Sequence, residues 1–244
     1  MHPLLDDATL AERYFFPRWM PLPDPFIVPV AGAELHCWRS PPRPGAPVLL
    51  HFHGNGEVVG EYVARIAPAW IRAGFDLVLA EYRGYGGSTG RPTLRALLDD
   101  ALAVADAIGG RPIVYGRSVG SLPAAHVAAH RDVAGLVLES GIADLAERLQ
   151  RYAGDGYAPS ALTAAAAAGF DQQAKLARHG GPTLVMHTAA DHLVDVSHAH
   201  RLADWSGGRL VVFERGDHNT ILGYNHDAIL SELTRFAGLG ERAR

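Results

Sequence analysis

Short apolar runs alternate with longer segments of mixed polarity through most of the chain. Within each run nearly every residue is apolar, which is typical of parallel strands that are covered on both faces; strands with one wet face alternate instead. We therefore predict strands at Val48–His53, Asp76–Tyr82, Pro112–Gly116, Gly135–Glu139, Pro182–His187 and Arg209–Phe213.

The segments between these runs have the length and pattern of helices. We predict helices at Val58–Ala73, Thr93–Ile108, Leu122–His130, Val196–Trp205 and Ala228–Phe236. Repeated strand–helix units of this kind predict an α/β fold with a doubly wound, mostly parallel sheet. The length of 244 residues fits a single domain spanning 1–244.

Two stretches depart from this alternation. Residues 1–25 contain closely spaced prolines and predict an irregular leader, and the next two apolar runs, Phe26–Val30 and Glu34–Trp38, predict a β-hairpin. Residues 141–181 contain no strand-like run. Because ligands of such sheets bind beyond the carboxyl ends of the strands, we predict that 141–181 forms a small cap over a site.

Composition narrows the possible partners and the compartment. The net charge of −4 and the absence of a basic stripe argue against a nucleic-acid partner. Cys37 is the only cysteine, so no intrachain disulfide forms, as suits a reducing compartment. The chain shows neither a signal-peptide pattern nor an apolar stretch long enough to span a membrane. We therefore expect a cytoplasmic protein without a membrane span.

The predicted strand at Pro112–Gly116 leads into Gly116-Arg-Ser-Val-Gly120 and then into a predicted helix. G-x-S-x-G between a strand and a helix is typical of a nucleophile elbow. In such a turn the serine backbone is strained, and the glycines leave room for neighbouring chain. We predict that Ser118 is a nucleophile presented at the start of a helix.

A serine hydroxyl needs a base, and the base needs an acid that orients it. His218 directly follows the last predicted strand, and Asp191 follows the strand before it, which gives the order Ser, Asp, His. Asp195 and Glu139 remain alternatives for the acid, although Asp195 has the position of a helix N-cap. We interpret Asp217 as a turn residue, since it directly precedes His218.

An oxyanion formed by attack of Ser118 requires two N–H donors. Val119, at the helix start, would supply one of them. The loop after the first sheet-core strand, His51–Glu57, would supply the other, and its glycines would let the backbone curl around a carbonyl. We predict the backbone N–H of Asn55 as this second donor; the alternative is a plain strand–helix turn.

The sequence also contains patterns that partly resemble a metal site and a nucleotide-binding loop. His51 with His53, and the histidines at 192, 198 and 200, have spacings of metal-ligand pairs, but a metallo-hydrolase H-x-H-x-D-H pattern fails after His53. The loop Gly84–Gly90 departs from G-x-G-x-x-G at Thr89, and the P-loop pattern is absent. We predict no metal and interpret the Gly84–Gly90 loop as a turn bordering the active site.

With these pieces in order, the chain resembles the α/β-hydrolase superfamily, in particular the alpha/beta hydrolase domain proteins grouped with serine aminopeptidases and monoglyceride lipases. The matching stretches are His53–Gly56, Glu81–Ser88, Tyr115–Ser121, His187–Asp191 and Gly216–His218. The resemblance implies an α/β-hydrolase fold with Ser118 as nucleophile, His218 as base, Asp191 as acid, and Asn55 and Val119 as oxyanion donors.

We therefore predict a serine hydrolase that cleaves esters or thioesters of a small-molecule acyl substrate through an acyl-enzyme, without a cofactor. The same triad also serves amidases and peptidases, and some proteins of this fold are non-catalytic binding proteins. The acyl chain length, the choice among ester, thioester and amide, and the oligomeric state do not follow from the sequence.

Overall fold

The fold is built on a single sheet of eight strands, as seen in a computed structural model that describes residues 2–239. In chain order the strands are β1 (Phe26–Val30), β2 (Ala33–Arg39), β3 (Val48–Phe52), β4 (Asp76–Ala80), β5 (Ile113–Arg117), β6 (Gly135–Glu139), β7 (Thr183–Thr188) and β8 (Arg209–Phe213). Their spatial order is β1-β2-β4-β3-β5-β6-β7-β8.

The sheet is parallel from β3 through β8, and the hairpin β1–β2 joins it antiparallel to β4. Successive residues of a strand enter apolar layers on opposite faces, such as Leu49 on one face and Leu50 on the other. Because both faces are covered, the central strands are apolar at nearly every position. The predicted fold class is confirmed.

Helices connect the parallel strands and cover the sheet. They are α1 (Ala8–Tyr14), α2 (Val59–Arg65), α3 (Ala67–Arg72), α4 (Leu94–Ile108), α5 (Ser121–His130), α6 (Leu145–Tyr152), α7 (Pro159–Gly169), α8 (Gln172–His179), α9 (Ser197–Ser206) and α10 (Ile221–Phe236). Within residues 2–239, no helix combines the length and apolar character needed to cross a bilayer.

Two predicted helices differ from the observed ones. The segment predicted as one helix, 58–73, is split at Ile66 because Pro68 lacks an N–H and its ring crowds the carbonyl four residues before it. The last helix begins at Ile221 rather than Ala228. Asn225, within the first turns of this helix, has non-helical dihedral angles and marks a kink between them and the predicted part.

The prediction of an irregular leader over residues 1–25 is wrong for its first half. Asp7 caps α1 by accepting a hydrogen bond from Leu10 N at 2.7 Å, and Leu10 and Tyr14 are buried on one face of that helix. The prolines that suggested irregular structure begin only at Pro17, after α1 has ended. The second half of the leader then passes along the edge of the molecule that carries the predicted site.

The segment 141–181 contains α6, α7 and α8 and no strand. It leaves the sheet at the carboxyl end of β6 and returns at the start of β7. Of these helices, α6 provides side chains to the pocket described below.

The only lysine of the chain, Lys175, lies on α8 with its ammonium buried. Its Nζ lies 5.0 Å from the centre of the Phe170 ring and has no hydrogen-bond partner in the described part of the chain. Burial lowers the pKa of Lys175 to about 7, with Asp171 opposing that shift. The folded protein therefore disfavours the charged form of this side chain.

We expect Lys175→Met to raise the free energy of unfolding at pH 7 by on the order of 2 kcal/mol, since the folded state no longer buries an amine that the unfolded chain keeps charged. The folded-state pKa of Lys175 lies below the unfolded value of about 10.4. At pH values between these two pKa values, the unfolded wild-type chain therefore binds more protons than the folded protein. Wild-type stability therefore rises with pH in that range. Urea denaturation at pH 7 and pH 10 should show that the gain shrinks at the higher pH; an equal gain at both would contradict this account.

Candidate active site

The predicted nucleophile sits on a strained turn between β5 and α5. Ser118 has a φ of +52°, in the left-handed region that non-glycine residues rarely adopt. A Cβ on Gly116 would lie 2.3 Å from Gly120 O, and one on Gly120 would lie 2.2 Å from Phe52 O. Only glycine fits at these two positions, so the pattern G-x-S-x-G is required by the packing of the turn itself.

Ser118, His218 and Asp191 lie in one continuous chain of contacts. His218 Nε2 is 2.9 Å from Ser118 Oγ, and His218 Nδ1 is 2.7 Å from Asp191 Oδ2. A proton on Nδ1 is donated to the carboxylate, which leaves Nε2 free to accept from the serine hydroxyl. All three residues are buried. The three predicted side chains thus meet at the carboxyl edge of the sheet.

The Asp191 carboxylate is held by several donors besides His218. Its Oδ1 accepts from the backbone N–H groups of Leu193 and Val194 at 2.9 and 2.8 Å. His187 Nε2 lies 3.3 Å from Oδ2 and 2.8 Å from Val194 O. Burial alone would raise the pKa of Asp191, but hydrogen bonds from His187 and His218 hold it below its usual value. The acid is therefore ionised while buried.

The rival acids lie elsewhere. Glu139 contacts Tyr115 and Arg117, behind the site. Asp195 is exposed and accepts from Ser197 N at 2.9 Å, at the start of α9. Asp217 is exposed and accepts from the backbone of the turn that follows it, as expected for a turn residue. Of the four carboxylates considered, Asp191 is the one in contact with His218.

The loop that carries Asn55 begins next to a buried pair formed by His53 and Glu81. His53 Nε2 lies 2.6 Å from Glu81 Oε1, and its Nδ1 lies 2.8 Å from Gly54 O. Burial lowers the pKa of His53, but the Glu81 carboxylate, Gly54 O and Glu57 together outweigh burial and the net shift is upward. Both ring nitrogens face acceptors, so His53 supports the loop through two contacts.

The Asn55 side chain is fixed by the end of the leader. Its Oδ1 accepts from Phe16 N at 2.9 Å and from Tyr85 OH at 2.7 Å, and its Nδ2 donates to Tyr14 O. The side chain is thereby engaged away from the site. Asn55 and Val119 line the same pocket as Ser118 and His218, so both predicted oxyanion donors border the nucleophile.

Arg117, within the G-x-S-x-G pattern, joins the loops around the site. Its buried guanidinium lies 2.8 Å from Glu57 and 3.2 Å from Glu139, and it donates to the backbone oxygen of His218 at 2.6 Å. Glu57 in turn accepts from Gly54 N at 2.7 Å. One planar cation therefore connects the Asn55 loop, the elbow and the His218 loop.

We expect Arg117→Met to lower the free energy of unfolding by about 3–5 kcal/mol, because it leaves the buried Glu139 and the half-buried Glu57 without their cation. Urea denaturation measures this. The matched control is Arg131→Met, which removes an exposed pair with Asp106 (2.6 Å) and should cost no more than about 1 kcal/mol. Equal losses in the two variants would contradict a structural role for the Arg117 cluster.

A pocket of about 310 Å³ opens beside Ser118. Its walls come from the leader, the Asn55 loop, the elbow, α6 and its preceding loop, and the loops carrying Asp191 and His218. The lining includes aromatic and aliphatic side chains, namely those of Tyr14, Phe16, Ile142, Tyr152 and Leu193. The pocket can hold a short chain or a small ring next to the serine oxygen.

The residues considered for other kinds of site have different roles in the fold. His51 is buried against the rings of Tyr62 and Tyr115, and burial holds its pKa well below the usual value. Within residues 2–239, no three histidine, cysteine, aspartate or glutamate side chains converge on a metal position. The Gly84–Gly90 loop holds the leader through a bridge between Gly86 and Trp19.

The fold combines a mostly parallel sheet with a strained serine turn at the carboxyl end of a central strand. This combination places the protein in the α/β-hydrolase fold class. A family model described as "alpha/beta hydrolase fold" matches residues 47–155. Solved structures agree in fold. A hydrolase from Pseudomonas aeruginosa superposes with a TM-score of 0.68 at 22% identity, covering 88% of this chain and 99% of that one. Est1E of Butyrivibrio proteoclasticus, solved with ferulic acid, gives 0.72 at 18% identity, covering 87% and 99%.

The chain has the fold of the α/β-hydrolase superfamily, and the family model and curated alpha/beta hydrolase domain-containing proteins match it. Among curated proteins it is 30% identical over 171 residues to alpha/beta hydrolase domain-containing protein aho-3 of Caenorhabditis elegans, covering 66% of this chain and 49% of that one. It is 28% identical over 180 residues to alpha/beta hydrolase domain-containing protein 17B of Homo sapiens, covering 68% and 58%. The matches span about half the length of these relatives.

The predictions from the sequence did not include His187, Arg117 or Glu57. A signal for two of them was present in the chain. Arg117 is a charged residue in a run that is otherwise buried, and such a residue requires a partner. His187 precedes Asp191 by four residues at the end of β7. Glu57 lies in a loop, where a carboxylate gives no such signal.

Proposed function

We propose that this protein is a serine hydrolase that cleaves carboxylic esters or thioesters through an acyl-enzyme, with Ser118 as nucleophile, His218 as base and Asp191 as the orienting acid. The observation that carries the proposal is the 2.9 Å contact between His218 Nε2 and Ser118 Oγ, with Asp191 2.7 Å from the other ring nitrogen. A positioned base of this kind activates an otherwise weak nucleophile.

The reaction would begin when Ser118 Oγ attacks the acyl carbon and its proton passes to His218 Nε2. The bond to the leaving oxygen or sulfur then breaks, and His218 returns the proton to that atom. Water attacks the resulting acyl-enzyme, again losing a proton to His218, and Ser118 leaves with that proton as the acid is released. Asp191 stays ionised throughout and stabilises the imidazolium.

The negative charge on the acyl oxygen would be stabilised by the backbone N–H groups of Asn55 and Val119. Support for this assignment comes from their position on the wall of the Ser118 pocket. The fixed side chain of Asn55 and the Arg117 cluster hold the Asn55 loop in place, so its dipoles need no rearrangement during the reaction. The segment 141–181 would act as a cap, with α6 closing one side of the pocket.

Graded p-nitrophenyl esters, acyl thioesters and aminoacyl anilides, assayed side by side, test the proposal. We expect turnover of the short esters or thioesters and much slower turnover of the anilides. Faster cleavage of the anilides would instead assign an amidase or peptidase. Labelling by a fluorophosphonate without turnover of any of these would indicate an intact nucleophile with another substrate. Absence of both would favour a binding protein.

A further inference from the structure

Arg148 places a buried guanidinium on the wall of the Ser118 pocket. The residue is 7% exposed and lies on α6. Its Nη1 donates to Leu193 O, and its Nη2 donates to Tyr152 OH at 3.1 Å. Both of these neighbours also line the pocket, so the charged end of the side chain lies between two wall residues.

Within residues 2–239, no carboxylate lies within ion-pair distance of this cation. In the part of the chain that the structure describes, the ion pairs within 4 Å do not include Arg148. Its contacts are a carbonyl, a phenol and the ring of Tyr152, whose centre is 5.5 Å away. A guanidinium has five N–H donors, of which these contacts use two. Buried charges are normally paired, so Arg148 has capacity for an anion.

The other charges around the pocket are balanced by protein groups. Asp191 faces His218, and Glu57 faces Arg117. The phenol of Tyr14 also lies on the pocket wall. Tyr14 packs edge-to-face against Tyr152, with the ring centres 5.9 Å apart, and Tyr152 OH accepts from Arg148. Tyr14 and Arg148 thus line the same pocket on either side of Tyr152.

We infer that Arg148 recognises a carboxylate on the substrate, so that this hydrolase acts on esters or thioesters carrying a second, anionic group near the scissile bond. This inference rests on the proposed function. A single carboxylate matches the single unpaired cation better than a dianionic phosphate does, and two parallel N–H···O bonds are the geometry a guanidinium offers to it. A pocket of about 310 Å³ limits the spacing between the two groups to a short chain.

The test compares ethyl hemiesters of succinate, glutarate and adipate with the primary amides of the same lengths, in which a neutral group replaces the carboxylate. A second pair, butyryl glycolate and butyryl glycolamide, places the charge on the alcohol side. Hydrolysis is followed by proton release. We expect the carboxylate to raise kcat/KM by about 10- to 100-fold for at least one member, since charged hydrogen bonds are worth that much. The pair showing the difference identifies which side of the ester faces Arg148.

Arg148→Gln should abolish the preference for the carboxylate, so that the ratio of kcat/KM between hemiester and amide falls to about 1 whatever the change in kcat/KM for the amide. Arg148→Lys keeps the charge and should retain part of the preference. The matched control is Arg13→Gln: Arg13 is exposed and donates to Ala153 O at the end of α6, outside the pocket lining. Thermal midpoints report whether each variant folds.

Each outcome separates this inference from the proposed function. Equal turnover of hemiesters and amides by the wild-type protein would overturn the role of Arg148 and leave the hydrolase intact. Equal loss on both substrate types in Arg148→Gln would assign Arg148 to structure alone. If no ester is cleaved, the proposed function fails; binding of glutaramate, which carries one carboxylate, against the neutral diamide glutaramide to Ser118→Ala, read as a thermal shift, then still decides whether Arg148 binds a carboxylate.

Discussion

Ser118→Ala is expected to lower kcat for an ester substrate by about 10⁴-fold or more, since the reaction loses its nucleophile and retains only binding and the oxyanion donors. Ser118 is buried on a turn with φ of +52°, a conformation that alanine also tolerates poorly. Ser118→Ala therefore removes the hydroxyl oxygen without relieving the backbone strain of the turn. Steady-state kinetics with a p-nitrophenyl ester measures the loss.

The matched control is Ser121→Ala, three residues along the chain. Ser121 is buried and its Oγ accepts from Ile142 N at 2.9 Å, but it is not in contact with His218. Its Oγ also donates to Ser118 O at 2.6 Å, so Ser121→Ala removes two hydrogen bonds. We expect a change of less than about tenfold in kcat, with a cost in stability of about 1–3 kcal/mol from their loss. Activity that persists in Ser118→Ala but disappears in Ser121→Ala would refute the assignment of the nucleophile.

Asp191→Asn should reduce kcat by about 10⁴-fold, because an amide nitrogen facing His218 favours the tautomer with its proton on Nε2. That tautomer cannot accept the Ser118 proton. In the wild-type protein the Asp191 carboxylate accepts from Leu193 N, Val194 N, His187 and His218. Since Asp191 is held ionised, activity on the acidic side should not depend on this carboxyl group. A pH profile of kcat/KM in the wild-type protein tests that point.

Glu139→Gln is the matched control for the acid. Glu139 ends β6, and its carboxylate contacts Tyr115 and Arg117. Glutamine has the same shape as glutamate, and its side-chain oxygen can still accept from Tyr115 OH. We expect kcat to stay within about tenfold of the wild-type value. The reverse result, an active Asp191→Asn and an inactive Glu139→Gln, would move the role of the acid to Glu139.

The sheet could be predicted because its signal is local and redundant. Strands such as β4 and β6 are apolar at nearly every position, and both faces of the sheet require this. The residues Ser118, Asp191 and His218 could be located because each one follows a strand, and parallel strands bring their carboxyl ends to one edge. The positions of these residues along the chain were therefore enough to predict that the three side chains meet.

The supporting contacts could not be predicted in this way, because they depend on the distance between loops. Nothing in the chain pairs Arg117 with the backbone of His218, 101 residues later. The Asn55 side chain binds the leader. The prolines of the leader had suggested that it is irregular, so this contact was not expected. Arg148 lies on α6 beside Glu147, and only the structure shows that Glu147 pairs with His198 and Arg201 and that no carboxylate of the described residues pairs with Arg148.

The central claim is that His218 activates Ser118 for attack on a carbonyl-like electrophile. The most direct measurement is the intact mass of the protein after treatment with a fluorophosphonate, followed by mapping of the modified peptide. We predict a single phosphonyl adduct on Ser118, no adduct in Ser118→Ala, and much slower labelling of His218→Ala. A folded wild-type protein that stays unlabelled, or an adduct on any other residue, would contradict the account.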